Sequence, residues 1–211
     1  AGKSTLCLHI NAIFQPTAGT MLFQGEPYDY SRSSVSRLRQ KIGLVFQDQD
    51  MQLFAPTVLD DVLFGPMNMG CTLMEAEQAA RRAVETVEMT EYLNDPVHFL
   101  SPGQKKRVAL AGVLAMQPDV LVMDEPTAGL DYAGNINLSA IMDRLHKKGK
   151  TLIVSTHDID WVMDWADLVI VILDGQVAAC GSPAEVLLRE DHAELGFARP
   201  AAYPKPKGCE G

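Results

Sequence analysis

The chain has 211 residues, 47% hydrophobic and 21% charged, with 16 glycines, a composition that is globular and long enough for a sizeable core and excludes a disordered or fibrous protein. With 18 Lys and Arg against 27 Asp and Glu, the formal net charge is -9, which argues against collecting nucleic acid by bulk electrostatics, so any partner must be recognised locally. The longest nearly unbroken apolar runs, 108–116 and 168–173, are far short of the ~20 residues that span a bilayer, and the chain is expected to be soluble on its own. Cys7, Cys71, Cys180 and Cys209 have no paired C-x-x-C spacing, which points to neither a zinc site nor a disulfide framework and fits a reducing cytosol; no secretory signal opens the chain.

The first residues, Ala1-Gly2-Lys3-Ser4-Thr5-Leu6, form the second half of a loop of the type G-x-x-x-x-G-K-[ST]. Such a loop aims successive backbone N–H groups and a helix N-terminus at nucleotide phosphates, with the lysine on the β/γ-phosphates and the hydroxyl on Mg²⁺. Taken alone, this tetrapeptide equally describes a polar segment before a helix, and downstream residues must decide.

Four short apolar runs then end abruptly in polar residues: 42–46 before Gln47, 120–123 before Asp124-Glu125, 151–155 before His157, and 168–173 before Asp174-Gly175. Runs of this kind read as buried parallel strands. Helically spaced segments over 75–88, 103–116 and 135–146 separate them, which predicts an α/β fold with a mostly parallel sheet covered by helices on both faces. Ligands of such folds sit outside the carboxyl ends of the strands, where Gln47, Asp124, Glu125 and His157 are expected on one rim. The Met-rich stretch beginning near Thr57 has helical spacing and no good strand, and predicts an inserted helical subdomain over about 57–105. A single domain is expected over 1–198, followed by an extended, disordered tail over 199–211 with Pro200, Pro204 and Pro206.

The strand Leu121-Val122-Met123 leads into two adjacent carboxylates. An aspartate at this point in a phosphate-loop nucleotidase holds Mg²⁺, and a neighbouring acid can orient or deprotonate the attacking water; Asp124 and Glu125 take those roles. Two acids at a strand end also describe a solvated loop, a reading that loses once Lys3-Ser4 stands upstream. In Leu100-Ser101-Pro102-Gly103-Gln104, Ser101 and Gln104 have capping-box spacing with Pro102 at the first helical position. A capped helix start with Ser101 and Gly103 exposed is also an anion site.

With these segments in hand, the chain resembles the ATP-binding subunits of ABC transporters over nearly all of its length except the proline-rich tail. Lys3-Ser4-Thr5 matches the Walker A motif, Gln47 the Q-loop glutamine, 100–104 the signature motif and Asp124-Glu125 the Walker B pair. Ala128-Gly129-Leu130-Asp131 matches the D-loop and Ser155-Thr156-His157-Asp158 the switch histidine. The resemblance implies a P-loop NTPase fold that uses ATP and Mg²⁺. Glu125, His157 and Gln47 would be catalytic, and Ser4, Gln47 and Asp124 would lie at the metal. Gly2, Lys3, Ser4, Thr5, Ser101, Gly103, Gln104 and Asp131 would bind nucleotide. It also implies a head-to-tail dimer sandwiching two ATP molecules, with Ser101 and Gly103 serving the partner's γ-phosphate and Asp131 at the interface.

More narrowly, 45–50 with Gln52-Leu53-Phe54, Thr57-Val58 and 61–66 looks like the ATPases of energy-coupling-factor importers. The stretches 29–32, 104–108 and 156–160 look like the cobalt or nickel branch. The implied protein is a peripheral subunit on the cytoplasmic face of the cell membrane. It pairs with an identical or paralogous ATPase, a transmembrane coupling subunit and a membrane substrate-binding subunit. The alternatives are a vitamin-importing relative, or a non-transport ABC ATPase acting on ribosomes or chromosomes. His9, His98, His146 and His192 are isolated and are read as surface or packing residues, not ligands. Three departures stand out: Pro102 for the usual first glycine of the signature, Tyr132 after Asp131 where proline is common, and Gln49 for a common proline. The family's adenine-stacking aromatic residue and the first half of its phosphate loop would precede Ala1, so the chain is expected to be truncated and to bind ATP weakly or not at all by itself.

Overall fold

Three of the apolar runs stand side by side as parallel strands in the computed structural model, which describes residues 2–198, 200 and 201. The described residues fall into two units, one over Ser4–Ser155 and one from Thr156 onward together with Gly2 and Lys3. The expected tail lies outside the described residues except for Pro200 and Ala201, as does Cys209.

In the larger unit, helix α1 (Lys3–Ile10) is followed by a short antiparallel pair, β1 (Leu22–Phe23) and β2 (Glu26–Pro27), and by α2 (Arg32–Lys41) leading directly into β3 (Ile42–Val45). Helices α3 (Val58–Asn68), α4 (Leu73–Thr86) and α5 (Pro102–Ala115) come next, then β4 (Val120–Asp124), α6 (Tyr132–Lys147) and β5 (Thr151–Ser155). The sheet order is β3-β4-β5, with Val45 opposite Met123 and Asp124 opposite Ser155. A parallel strand pair needs a long crossover, supplied here by the helical segment ending in α5 and then by α6. All three strands therefore end at the same edge.

Successive side chains of a strand face opposite ways, and both faces of β3 are covered. Ile42 and Leu44 join Cys7 of α1 and Val122 of β4 in one buried cluster, flanked by Leu8 and Ile10. Gly43 faces the other way, where the Val113 side chain of α5 and Pro118 occupy the space a Cβ would need. The central strand β4 is apolar on both faces, with Leu121, Val122 and Met123 at 2% exposure or less. At the edge, β5 is only half-buried, less enclosed than its unbroken apolar run predicts; among the described residues it pairs with β4 alone.

Between Thr57 and Leu100 the backbone is helical, and α3, α4 and α5 pack against one another. Ala76, Ala79, Ala80, Ala83 and Val84 recur at three- and four-residue spacing as the buried face of α4. The two ends of the segment are clipped together: Thr57 bridges Pro96, and the Val58 and Val97 N–H groups donate to the Asp95 and Pro56 carbonyls.

The smaller unit holds α7 (Ile159–Trp165), β6 (Val169–Leu173), β7 (Gln176–Gly181) and α8 (Pro183–Leu187). Here the expectation of a fourth parallel strand fails, because β6 is one arm of an antiparallel hairpin with β7. The deciding signal is Asp174-Gly175: both residues adopt positive φ, 49° and 78°, the conformation of a two-residue turn that reverses the chain at once. Val169 and Ala179 of the hairpin share a core with Val186 and Leu187 of α8.

Candidate functional site

Because the strands of the larger unit are parallel and in register, their carboxyl ends bring Gln47, Asp124, Glu125 and Ser155 to one edge. Asp124 ends β4 half-buried, and its Oδ1 accepts a hydrogen bond from the Ser155 hydroxyl at the end of β5. The Glu125 N–H donates to the Ser155 carbonyl at 2.8 Å, extending the strand pairing by one residue. Glu125 is buried and lies in the left-handed region with φ 46°, a conformation costing a non-glycine residue ~1–2 kcal/mol. The same change of backbone direction takes Glu125 out of the strand's alternation, so the two adjacent acids are presented differently.

A buried cation stabilises this turn. Lys106, on the second turn of α5, is 7% exposed and donates from Nζ to the carbonyls of Glu125 at 3.3 Å, Pro126 at 2.9 Å and Ala128 at 2.5 Å. Three ammonium donors meet three carbonyl acceptors, the satisfaction a buried charge requires. Burial lowers the Lys106 pKa from its ordinary value, and the nearby Glu125 carboxylate opposes that shift.

The signature residues form the N-terminus of α5 as the capping-box spacing predicts. The Ser101 N–H donates to Gln104 Oε1 at 2.8 Å, and the Gln104 N–H donates to Ser101 Oγ at 3.3 Å. Pro102 occupies the first helical position, where a missing N–H breaks no intrahelical bond, so the departure from glycine costs the helix nothing. Asp131 caps α6, its Oδ1 accepting from the Gly134 N–H at 2.7 Å. Ser101, Gly103, Gln104 and Asp131 together line one cavity of about 300 Å³. Residues 30 positions apart in sequence thus share one concave surface.

Ser4 and Thr5 lie exposed in the first turn of α1, where backbone N–H groups have no intrahelical partner. Lys3 begins that helix, and Gly2 before it adopts φ 107°, which only glycine takes readily. Cys7, one turn after Ser4, has its thiol pKa raised to about 11 by burial and by the negative charge of Asp124. Asp124 therefore acts electrostatically on the helix face that also carries Ser4. The serine hydroxyl, the Gln47 amide and the Asp124 carboxylate are all oxygen donors, the set that suits Mg²⁺.

His157 lies in the smaller unit, exposed and just before α7, whose cap Asp158 accepts from the Trp161 N–H at 3.1 Å. The rim expected to gather four polar groups is seen within the larger unit for Gln47, Asp124 and Glu125.

Several residues that position the site escape a reading by motif. Gln49 is buried and donates to the Phe46 carbonyl at 3.0 Å and the Gln47 carbonyl at 2.7 Å, so this departure from proline organises the loop carrying Gln47. Gln52 accepts from the Phe46 N–H at 3.0 Å and donates to the Ala109 carbonyl at 3.4 Å, tying the end of β3 to α5. Buried Asp61 accepts from the Phe54 and Ala55 N–H groups, both at 2.8 Å. Lys106 stands between Lys105 and Arg107, and Asp61 beside Asp60, so neither is marked out in the sequence as a buried charge.

Comparison with known proteins places the chain in a family. Residues 1–128 match the family described as ABC transporter. The chain is 51% identical over 186 residues to the energy-coupling factor transporter ATP-binding protein EcfA of Methanocaldococcus jannaschii, covering 88% of this chain and 67% of that protein. It is 50% identical over 198 residues to EcfA of Methanosphaera stadtmanae, covering 92% and 71%. Among solved structures, cbiO1 from Clostridium perfringens, described as part of the ABC transporter complex cbiONQ, superposes with a TM-score of 0.82 at 43% identity, covering 92% of this chain and 77% of that one. A dimeric ATP-binding cassette in a post-hydrolysis state with ADP and Pi superposes with a TM-score of 0.76 at 28% identity, covering 86% and 81%. The chain thus spans about two thirds or more of these relatives. Members of this family hydrolyse ATP to power transport. By its matched residues and its relatives, the chain belongs to the ABC transporter family, among the ATP-binding subunits of the energy-coupling-factor type.

Proposed function

We propose that the chain is the ATP-hydrolysing subunit of a membrane importer for cobalt or nickel ions. The observation that carries the hydrolytic part is the edge where Asp124 ends the strand behind buried Leu121, Val122 and Met123 and Glu125 follows it, Asp124 fastened to Ser155 and Glu125 turned into the left-handed region. Lys3 and the first-turn N–H groups of α1 would hold the nucleotide phosphates, and Ser4, Gln47 and Asp124 would hold Mg²⁺, which would neutralise charge on the phosphates. Glu125 takes the proton of the attacking water, a general-base role worth about 10²–10⁴-fold. His157 is assigned the γ-phosphate.

Ser101, Gly103, Gln104 and Asp131 share one cavity whose lining holds none of Ser4, Gln47, Asp124 and Glu125, which supports their use on a nucleotide held by a second cassette, identical or paralogous. The similar cassette solved as a dimer bound to ADP and Pi supports pairing with a second cassette.

For the membrane partner, a groove of about 770 Å³ is lined by Phe54, Phe64, Gln52 and Met116 among others. Phe54 and Phe64 stack edge to face at 4.6 Å and stay half or more exposed, an apolar surface beside the loop that carries Gln47. This groove receives a coupling subunit, and a shift at Gln47 reaches it through Gln52. Among the described residues no helix is long and apolar enough to cross a membrane. Passage of the ion is assigned to the partner chains, with this subunit on their cytoplasmic face. The choice of cobalt or nickel is supported by the resemblance of 29–32, 104–108 and 156–160 to that branch.

Affinity purification of the tagged protein from detergent-solubilised membranes, with mass spectrometry of what accompanies it, tests this reading. A polytopic coupling subunit and a small membrane substrate-binding subunit are expected, and ATP turnover of that complex should accompany cobalt or nickel uptake into vesicles. Recovery of ribosomal or chromosomal proteins without a membrane partner overturns it; uptake of a vitamin in place of the ions overturns its cargo.

A further inference from the structure

We propose that Lys106 is a positioning residue for hydrolysis: its ammonium gathers the Glu125, Pro126 and Ala128 carbonyls and thereby holds Glu125 in the orientation the reaction needs. This rests on the reading of Glu125 as the base. Lys106 borders the cavity of Ser101, Gly103, Gln104 and Asp131 but is assigned no nucleotide, metal or water contact, and it is one of few charged residues buried in the larger unit. A surface lysine would place its ammonium in water; this one forgoes hydration for three backbone acceptors on a single loop.

The loop needs such a device. Glu125 leaves β4 with φ 46°, unfavourable for a residue bearing a Cβ, and it persists only where the surroundings impose it. The Glu125 carbonyl accepts both from the Ala128 N–H at 3.2 Å and from Lys106 Nζ, so the cation grips the peptide unit that sets the direction of the Glu125 side chain. Hydrogen bonds from a charged donor are roughly twice as strong as neutral ones, and a low-dielectric surrounding strengthens them further. The helix bearing Lys106 also begins at Ser101, less than two turns away, so α5 joins the signature residues mechanically to the loop of Glu125.

A neutral side chain of similar length loses the grip and keeps the volume. In the complex purified with its membrane partners, Lys106→Met is expected to lower kcat about tenfold or more while KM for ATP stays within about twofold. Lys106→Gln, which keeps two N–H donors, is expected to recover part of the loss, leaving kcat down about three- to fivefold. Purely structural damage would instead scale activity with the fraction of folded protein, followed by thermal unfolding, or raise KM in step with the fall in kcat; either result overturns the proposal. So does parental kcat in Lys106→Met. Should Lys106→Met fail to fold, Lys106→Gln decides by the same split, with parental kcat overturning the proposal and an intermediate kcat at unchanged KM supporting it. Glu125→Gln is measured alongside: if it turns over ATP normally, the reading of Glu125 falls and the proposal with it, whereas a silent Glu125→Gln beside a fully active Lys106→Met removes the proposal alone.

Discussion

The hydroxyl of Ser155 donates to the carboxylate of Asp124, across the register that sets these two residues opposite each other at the ends of β5 and β4. The bond orients the Asp124 carboxylate, and under the proposed assignment of Asp124 to Mg²⁺ it would fix a ligand. Hydrogen-bonded neighbours of metal ligands typically change affinity about 10–100-fold when removed. Ser155→Ala is expected to raise the Mg²⁺ concentration for half-maximal ATP turnover by about tenfold, with much less effect on the rate at saturating Mg²⁺. An unchanged Mg²⁺ titration would show that the hydroxyl does not orient the ligand.

Glu125→Gln keeps the size and the buried position of the side chain and removes its basicity. ATP binding should persist, turnover should fall about 10²–10⁴-fold, and an ATP-bound dimer should accumulate on size-exclusion chromatography. Normal hydrolysis by this variant would remove Glu125 from the base role.

His157→Ala should slow hydrolysis by an order of magnitude or more, roughly the low end of a proton-handling or phosphate-contacting role. Turnover at the parental rate would mean that another residue is the switch.

Packing between α5 and the sheet depends on Gly43. A methyl group there meets the Val113 side chain and Pro118, and overpacking of this kind costs about 1–3 kcal/mol. Gly43→Ala should lower the calorimetric unfolding midpoint by a few degrees, roughly 2–4 °C per kcal/mol for a chain of this size. Adding Val113→Ala should recover part of that loss, because it vacates the space the methyl needs; two losses that simply add would refute the contact.

The Cys7 thiol, pushed up to about 11 from an ordinary 9.0 by burial and by Asp124, should resist alkylation in the native protein at pH 8 and react after unfolding in urea. Peptide mapping of the alkylated protein reads both states. In the native state the proton is held while the unfolded chain releases it, so the contribution to stability is intact below pH 9 and declines as pH rises from 9 to about 11. Unfolding midpoints that stay level across that window would contradict the raised value.

What the sequence determined was local. Apolar runs 42–46 and 120–123 become strands because both of their faces are buried, and an unbroken apolar run has no other stable environment. Ser101 with Gln104, and Asp131 at the start of α6, set helix starts through side chains reaching only three residues along the chain. Strand order likewise follows from local signals, and it puts Gln47, Asp124 and Glu125 at the carboxyl ends of neighbouring strands. Tertiary structure decided whatever depends on partners distant in sequence. An unbroken apolar run became one arm of the β6–β7 hairpin and not a parallel strand, although there a local signal, Asp174-Gly175, was also available. Only the packed chain shows that Lys106, in a helix that reads as ordinary, meets carbonyls some 20 residues away, or that Gln52 reaches Ala109 across 57 positions. A buried polar group must find its partners wherever the fold delivers them, and sequence spacing carries no record of that delivery.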